Sequence, residues 1–265
     1  MKRTSTVLGL LTGLGLFLIS CTEGAQAPTT KTANASSIEP ATTEAAVQST
    51  SLTASMDSDN TSVWQKSNWT NGGMFNCGFL PDHISFSGGK MAIKLDNVSS
   101  FGKPYSSGEY RTLNTFNYGN FETNMQAAKG SGLVTSFFTY TGSPWDEIDV
   151  EILGKNTTQV QLNYFVSGVG GHEKVINLGF DASTGLHKYK IEWGNGYINW
   201  YVDGTWKWGV NNTGLNAPTG AAMPSHPMQI MMNMWPGTGV DSWLGAFSYS
   251  GAKYAYYDYV TYTPK

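Results

Sequence analysis

Trp145-Asp146-Glu147-Ile148-Asp149-Val150-Glu151-Ile152-Leu153-Gly154 is the stretch that decides the fold. Side chains alternate between the two faces of a β-strand. One face therefore takes Asp146, Ile148, Val150 and Ile152, and the other Trp145, Glu147, Asp149 and Glu151. The first face is mostly apolar and reads as a core face. The second lines up three carboxylates that repel one another, in a chain where only 13% of residues are charged, about half the usual ~25%. Stability alone does not ask for that arrangement.

Three readings stand for the acidic face: a solvated edge strand, a cation site, or paired-carboxylate chemistry. The regular Ile and Val opposite it argue against an exposed edge, and the sequence shows no second carboxylate cluster to complete a cation site. Cleavage of a glycosidic bond uses one carboxylate and one carboxylic acid flanking that bond. Neighbouring anions raise one pKa enough to keep an acid protonated near neutral pH. At ~3.3 Å per residue the Cα atoms of Glu147 and Glu151 lie ~13 Å apart, whereas a retaining pair of carboxyl groups sits ~5–5.5 Å apart. The two side chains must lean towards each other on a concave, twisted sheet, with the shorter Asp149 beneath them to tune their charge.

Outward from this strand the same alternation recurs. Tyr197 to Trp208 reads as a hairpin turning at Asp203-Gly204, a dipeptide suited to tight hairpins. Phe116 to Ala127 sets Phe121, Thr123 and Met125 opposite Glu122, Asn124 and Gln126. Val134–Tyr140, Val160–Val166, Leu186–Trp193, Met228–Trp235 and Tyr254–Tyr262 predict further strands. With no amphipathic helix, this spacing predicts an all-β sandwich of two sheets.

Composition divides the 265-residue chain. Of its 9 Trp, 14 Tyr and 12 Phe, only Phe17 precedes Trp64. Lys2 and Arg3 followed by an apolar run from Val7 to Ile19 predict a secretory leader over residues 1–20, too short to span a bilayer comfortably. It ends Leu18-Ile19-Ser20-Cys21, which resembles a bacterial lipobox, so Cys21 is the expected lipidation site. Residues 21–55, rich in Thr, Ala and Ser, read as a flexible tether, and 56–265 as the folded domain. An exported protein held to a membrane by its lipid alone follows, with Thr22 giving no Asp-type inner-membrane retention signal and favouring the outer membrane or cell surface. A net charge of -3 without a basic stripe argues against a nucleic-acid partner. Two Cys exclude a disulfide scaffold, and Cys77 reads as a buried, inert thiol. His83, His172, His187 and His226 lack zinc spacing and read as structural.

Over about 200 residues the chain resembles glycoside hydrolase family 16, and within it the bacterial β-1,3-1,4-glucanases, or lichenases. The resemblance rests on the 145–154 segment, Ser136-Phe-Phe-Thr-Tyr-Thr-Gly142, Gly168-Val-Gly-Gly-His-Glu-Lys-Val175, Trp200-Tyr-Val-Asp-Gly204, and Met231-Met-Asn-Met-Trp235 with Gly237-Thr-Gly-Val-Asp241. It implies a β-jelly-roll with a concave substrate cleft and endo-hydrolysis of mixed-linkage β-glucan with retention, by a monomer needing no cofactor. By position it implies Glu147 as nucleophile, Glu151 as general acid/base and Asp149 as the assisting carboxylate. The unbroken Glu-x-Asp-x-Glu spacing favours the mixed-linkage enzymes. β-1,3-Glucanase relatives carry an extra, bulging residue, and xyloglucan-type transglycosylases share the regular strand. A non-catalytic glycan-binding lipoprotein is the alternative from another class.

Parity and resemblance together place Phe138, Tyr140, Trp145 and Trp235 as sugar platforms, with core packing the competing role for each. Asn71, Glu109, Arg111, Asn163 and Asn233 are the expected hydrogen-bonding groups. The resemblance also implies a structural Ca²⁺ away from the cleft, on the Asp258 carboxylate and main-chain carbonyls near Gly89 and Ser55. Three departures from the family stand out. Ser107 takes the place of a partner for Cys77, the loop before Trp145 is short, and Phe165 stands where a subsite tyrosine is common.

Overall fold

The computed structural model describes residues 46–265. The expected leader over 1–20, Cys21 and the tether up to residue 45 lie outside the described residues.

Two antiparallel sheets carry the fold. The seven-stranded sheet runs in the order Lys174–Asn177, Gln159–Phe165, Glu147–Leu153, Leu133–Tyr140, Gln229–Pro236, Glu109–Thr112, Trp64–Lys66. The eight-stranded sheet runs Thr205–Asn211, Tyr197–Val202, His187–Gly194, Gly119–Gln126, Lys253–Pro264, Lys90–Leu95, Ile84–Ser87, with Leu52–Ser55 also paired to Lys253–Pro264. The only helical pieces among the described residues are Pro81–His83 and Asp241–Leu244.

The core lies between the sheets. Ile148, Val150 and Ile152 point into it from the carboxylate strand, and Phe121, Met125, Ile191, Trp193 and Trp200 meet them from the other sheet, all buried. A fully buried aliphatic or aromatic side chain contributes about 1.5–3 kcal/mol. That burial fixes the register, because a one-residue slip would drive the carboxylates into the core and the isoleucines out. The predicted hairpin forms as Tyr197–Val202 and Thr205–Asn211. Its turn holds both Asp203 (φ 48°) and Gly204 (φ 74°) in the left-handed region that this dipeptide tolerates.

Two boundaries differ from the sequence reading. The segment expected to be one strand from Phe116 to Ala127 splits into Thr115–Phe116 and Gly119–Gln126. The tether drawn to residue 55 overlaps the fold, since Leu52–Ser55 pairs residue by residue with Tyr259–Tyr262 and Val47–Gln48 pairs with Thr115–Phe116. Leu52 and Ala54 alternate with exposed Thr53 and Ser55 and pack against the core. Two small apolar side chains in a Thr/Ser-rich run are too weak a signal for composition to register, and main-chain pairing does most of the holding.

Candidate active site

Strand pairing turns the one-dimensional alternation into rows across the open face of the seven-stranded sheet. Phe165, Glu147, Tyr140 and Gln229 form one row. Asn163, Asp149, Phe138, Met231 and Arg111 form the next, and Gln161, Glu151, Ser136, Asn233 and Glu109 the third. Val134 and Trp235 follow. The carboxylate strand pairs with both neighbours without a register shift, so it is unbulged, as its spacing predicts.

Each acid is held by a specific neighbour. The Trp145 indole N–H donates to Glu147 Oε2 at 2.5 Å, and its ring stacks on Phe165 with centroids 4.9 Å apart and planes 16° from parallel. Gln161 Nε2 donates to Glu151 Oε2 at 2.8 Å, and the Trp243 indole N–H donates to Gln161 Oε1 at 2.9 Å. That second bond leaves the Gln161 amide only one orientation. Asp149 and Glu147 share a hydrogen bond that favours the ionised form of Glu147 and the protonated form of Asp149. Trp200, from the opposite sheet, donates its indole N–H to the Asp149 main-chain carbonyl at 3.1 Å.

Burial is the first cause acting on all three carboxyl groups. It pushes Glu147 up to about 7, against the opposing pull of the Trp145 and Asp149 hydrogen bonds. It pushes Glu151 up to about 8, with the charge of Glu147 adding to it and the Gln161 bond working against it. Asp149 rises well above the usual carboxylate range through burial and the charges of Glu147 and Glu151. The directions are chemically useful: burial and the Glu147 charge favour the proton on Glu151, while the Trp145 and Asp149 hydrogen bonds favour the charge on Glu147.

Most of the other expected cleft groups gather around this row. Glu109 accepts from Ser67 Oγ at 2.7 Å and from Asn233 Nδ2 at 3.0 Å, and Ser136 Oγ donates to Asn233 Oδ1. Arg111 stacks over the Trp69 ring at 4.2 Å. Phe138 and Asn163 flank Asp149 in its row. Tyr140 meets Trp145 edge-on, with centroids 6.4 Å apart. Trp235 faces the cleft by parity but is covered by Phe75 at 4.2 Å and Trp243 at 6.0 Å, so packing takes most of its surface. Asn71 lies half-buried in the loop that leads to Phe75, off the strand rows. Asp258 is the extra residue where Gly119–Gln126 shifts register against Lys253–Pro264, and Asn124 Nδ2 donates to its carboxylate at 3.0 Å. Gly89 sits in a hairpin turn of the same sheet. Cys77 is buried and free, with burial pushing its thiol far up.

Sequence reading missed Gln161, Ser136, Ser67 and Trp243. Gln161 and Ser136 share parity with Asn163 and Phe138 and were findable. Ser67 and Trp243 reach the site from other segments, which alternation does not reveal.

An ionisable carboxylate beside a carboxylic acid, on an open sheet face lined with aromatic and amide groups, defines a glycoside hydrolase on a jelly-roll scaffold. The chain matches the family Glycosyl hydrolases family 16 over residues 71–257 and belongs to it. A beta-glucanase of Paenibacillus polymyxa is 50% identical over 210 residues, spanning 77% of this chain and 84% of that protein. A solved structure of a Bacillus licheniformis beta-glucanase, 43% identical, covers 82% of this chain and 100% of its own with a TM-score of 0.75. A crystal structure of a prokaryotic beta-1,3-1,4-glucanase (lichenase) from a mouse hindgut metagenome is 41% identical, covers the same shares, and has a TM-score of 0.76.

Proposed function

We propose that the protein is an endo-β-1,3-1,4-glucanase that hydrolyses mixed-linkage β-glucan with retention. The observation that carries this is the unbulged row Glu147, Asp149, Glu151 on the open sheet face, with the Trp145 indole N–H donating to Glu147 and the Gln161 amide donating to Glu151. Ionised Glu147 attacks the anomeric carbon while Glu151 gives its proton to the departing glycosidic oxygen. Glu151, now a carboxylate, takes a proton from water, which attacks the glycosyl–Glu147 ester and frees Glu147. Asp149, protonated, steadies the Glu147 carboxylate between turns. A panel of barley β-glucan, laminarin, carboxymethylcellulose and xyloglucan tests the reading, with NMR of the first products. Cleavage of barley β-glucan with an initial β-anomer supports it. Preference for laminarin, or an initial α-anomer, overturns it.

Two finer readings accompany it. Asp258 offers a carboxylate, and Ser55 pairs with the adjacent Tyr259. The Gly89 turn approaches Asp57 so closely that a Cβ at Gly89 would fall 3.4 Å from the Asp57 carboxylate oxygen. These are hard oxygen donors of the kind Ca²⁺ takes. If they hold Ca²⁺, a chelator lowers Tm and added Ca²⁺ restores it. Residues 1–21 direct export and lipid attachment at Cys21, and Cys21→Ala should then release the protein from the membrane fraction.

A further inference from the structure

We infer that the outer face of the eight-stranded sheet carries a second glucan-binding platform centred on Trp206, remote from the carboxylates. This rests on the β-glucan reading above. In a regular strand Trp206 and Trp208 would share a face. Here the pairing of Tyr197–Val202 with Thr205–Asn211 shifts between Trp200 and Tyr201, so that Trp200 opposes Trp208 while Tyr201 opposes Trp206. Trp208 stacks on buried Trp200, with centroids 5.1 Å apart. The bulge sends Trp206 to the other side, where it is 48% exposed. Bulges often re-aim one side chain in this way, and an indole left in water forfeits burial that its neighbour obtains.

The surroundings hold that ring ready. Its N–H donates to Asn199 Oδ1 at 3.0 Å. Gly209, opposite Asn199, leaves room for that amide, since a side-chain carbon there would come within 2.2 Å of Asn199 Oδ1. Tyr201 donates its hydroxyl to Glu192 Oε2 at 2.6 Å, and Lys190 Nζ lies 3.9 Å from the centre of the Tyr201 ring. Lys265 pairs with Glu192 at 2.5 Å, and Lys190 lies opposite Glu122 in the sheet. Lys190 and Lys265 each stand beside a glutamate, and the indole itself offers an uncharged surface to a neutral ligand. A fixed aromatic plane edged by amide and hydroxyl groups matches the apolar C–H face and equatorial hydroxyls of a glucan chain.

The test uses the full-length Glu147→Gln protein, which leaves the polysaccharide intact, in native gels containing barley β-glucan. Adding Trp206→Ala should weaken retardation about fivefold, the scale of one aromatic contact. Trp206→Ala alone should hydrolyse a short soluble oligosaccharide as the wild type does, because that substrate reaches only the cleft. Equal retardation overturns the inference. Should Trp206→Ala fold poorly, oxidation of Trp206 by N-bromosuccinimide in the Glu147→Gln protein decides, read by peptide mass. β-Glucan should slow it, and unslowed oxidation, or protection that grows with protein concentration instead, overturns the inference. If only another polysaccharide retards the protein, the substrate reading fails, and the Trp206 comparison in that gel decides the platform.

Discussion

Asp146 and Glu147 are adjacent in the chain, take opposite faces of one strand, and have their carboxyl pKa values moved in opposite directions. Burial pushes Asp146 up, but the main-chain N–H groups of Ser225, Ser167 and His226 and the His226 ring outweigh it and hold the carboxyl below its usual range. Glu147 is also pushed up by burial and has fewer donors to answer it. One residue pins two loops behind the site. Its neighbour keeps a costly charge facing a cleft. What separates them is the number of fixed donors aimed at each carboxyl, since burial acts on both in the same direction.

Replacing the acids of the cleft face breaks this contrast most severely. Glu147→Gln should reduce turnover of β-glucan by about 10⁴-fold or more, measured as reducing sugar released. Asp146→Asn should spare the chemistry and cost about 2–3 kcal/mol of stability near neutral pH, read by denaturant unfolding. A depressed folded pKa gives stability that is present above the unfolded value and lost as pH falls through the folded one. The deficit of Asp146→Asn should therefore shrink in acid. Glu151→Gln should do the reverse. Its folded pKa is raised to about 8, so the wild type loses stability as pH climbs from the unfolded value of about 4.3. The variant should gain about 1–2 kcal/mol at pH 8 and nothing at pH 4. Smallest is the effect of Gln161→Leu. Its amide holds Glu151 down, so the basic limb of the kcat/KM profile should move to higher pH while the acid limb, set by Glu147, stays. An unmoved basic limb would show that Gln161 does not govern the acid.

Much of this was legible in the alternation around 145–154, because strand parity is a local property and the three acids had no structural reason to share a face. The hairpin at Asp203-Gly204 was legible for the same reason, since its turn chemistry lies in two residues. The role of Asp146 was not. Parity assigned it to the apolar face, but its partners come from Ser167 and from Ser225 and His226, segments about 20 and 80 residues away. Likewise the Trp206 bulge is invisible in Thr-Trp-Lys-Trp, which reads as plain alternation until the pairing partner is known. Leu52–Ser55 was hidden because its place in the sheet depends on main-chain bonds, which any composition can make.

The bond from the Trp200 indole to the Asp149 carbonyl joins the back sheet to the floor of the cleft at the middle acid. Tyr257, also from the back sheet, makes a second rivet by donating to the Ser136 carbonyl one row over. A floor fastened at these points has little freedom to flex under its load.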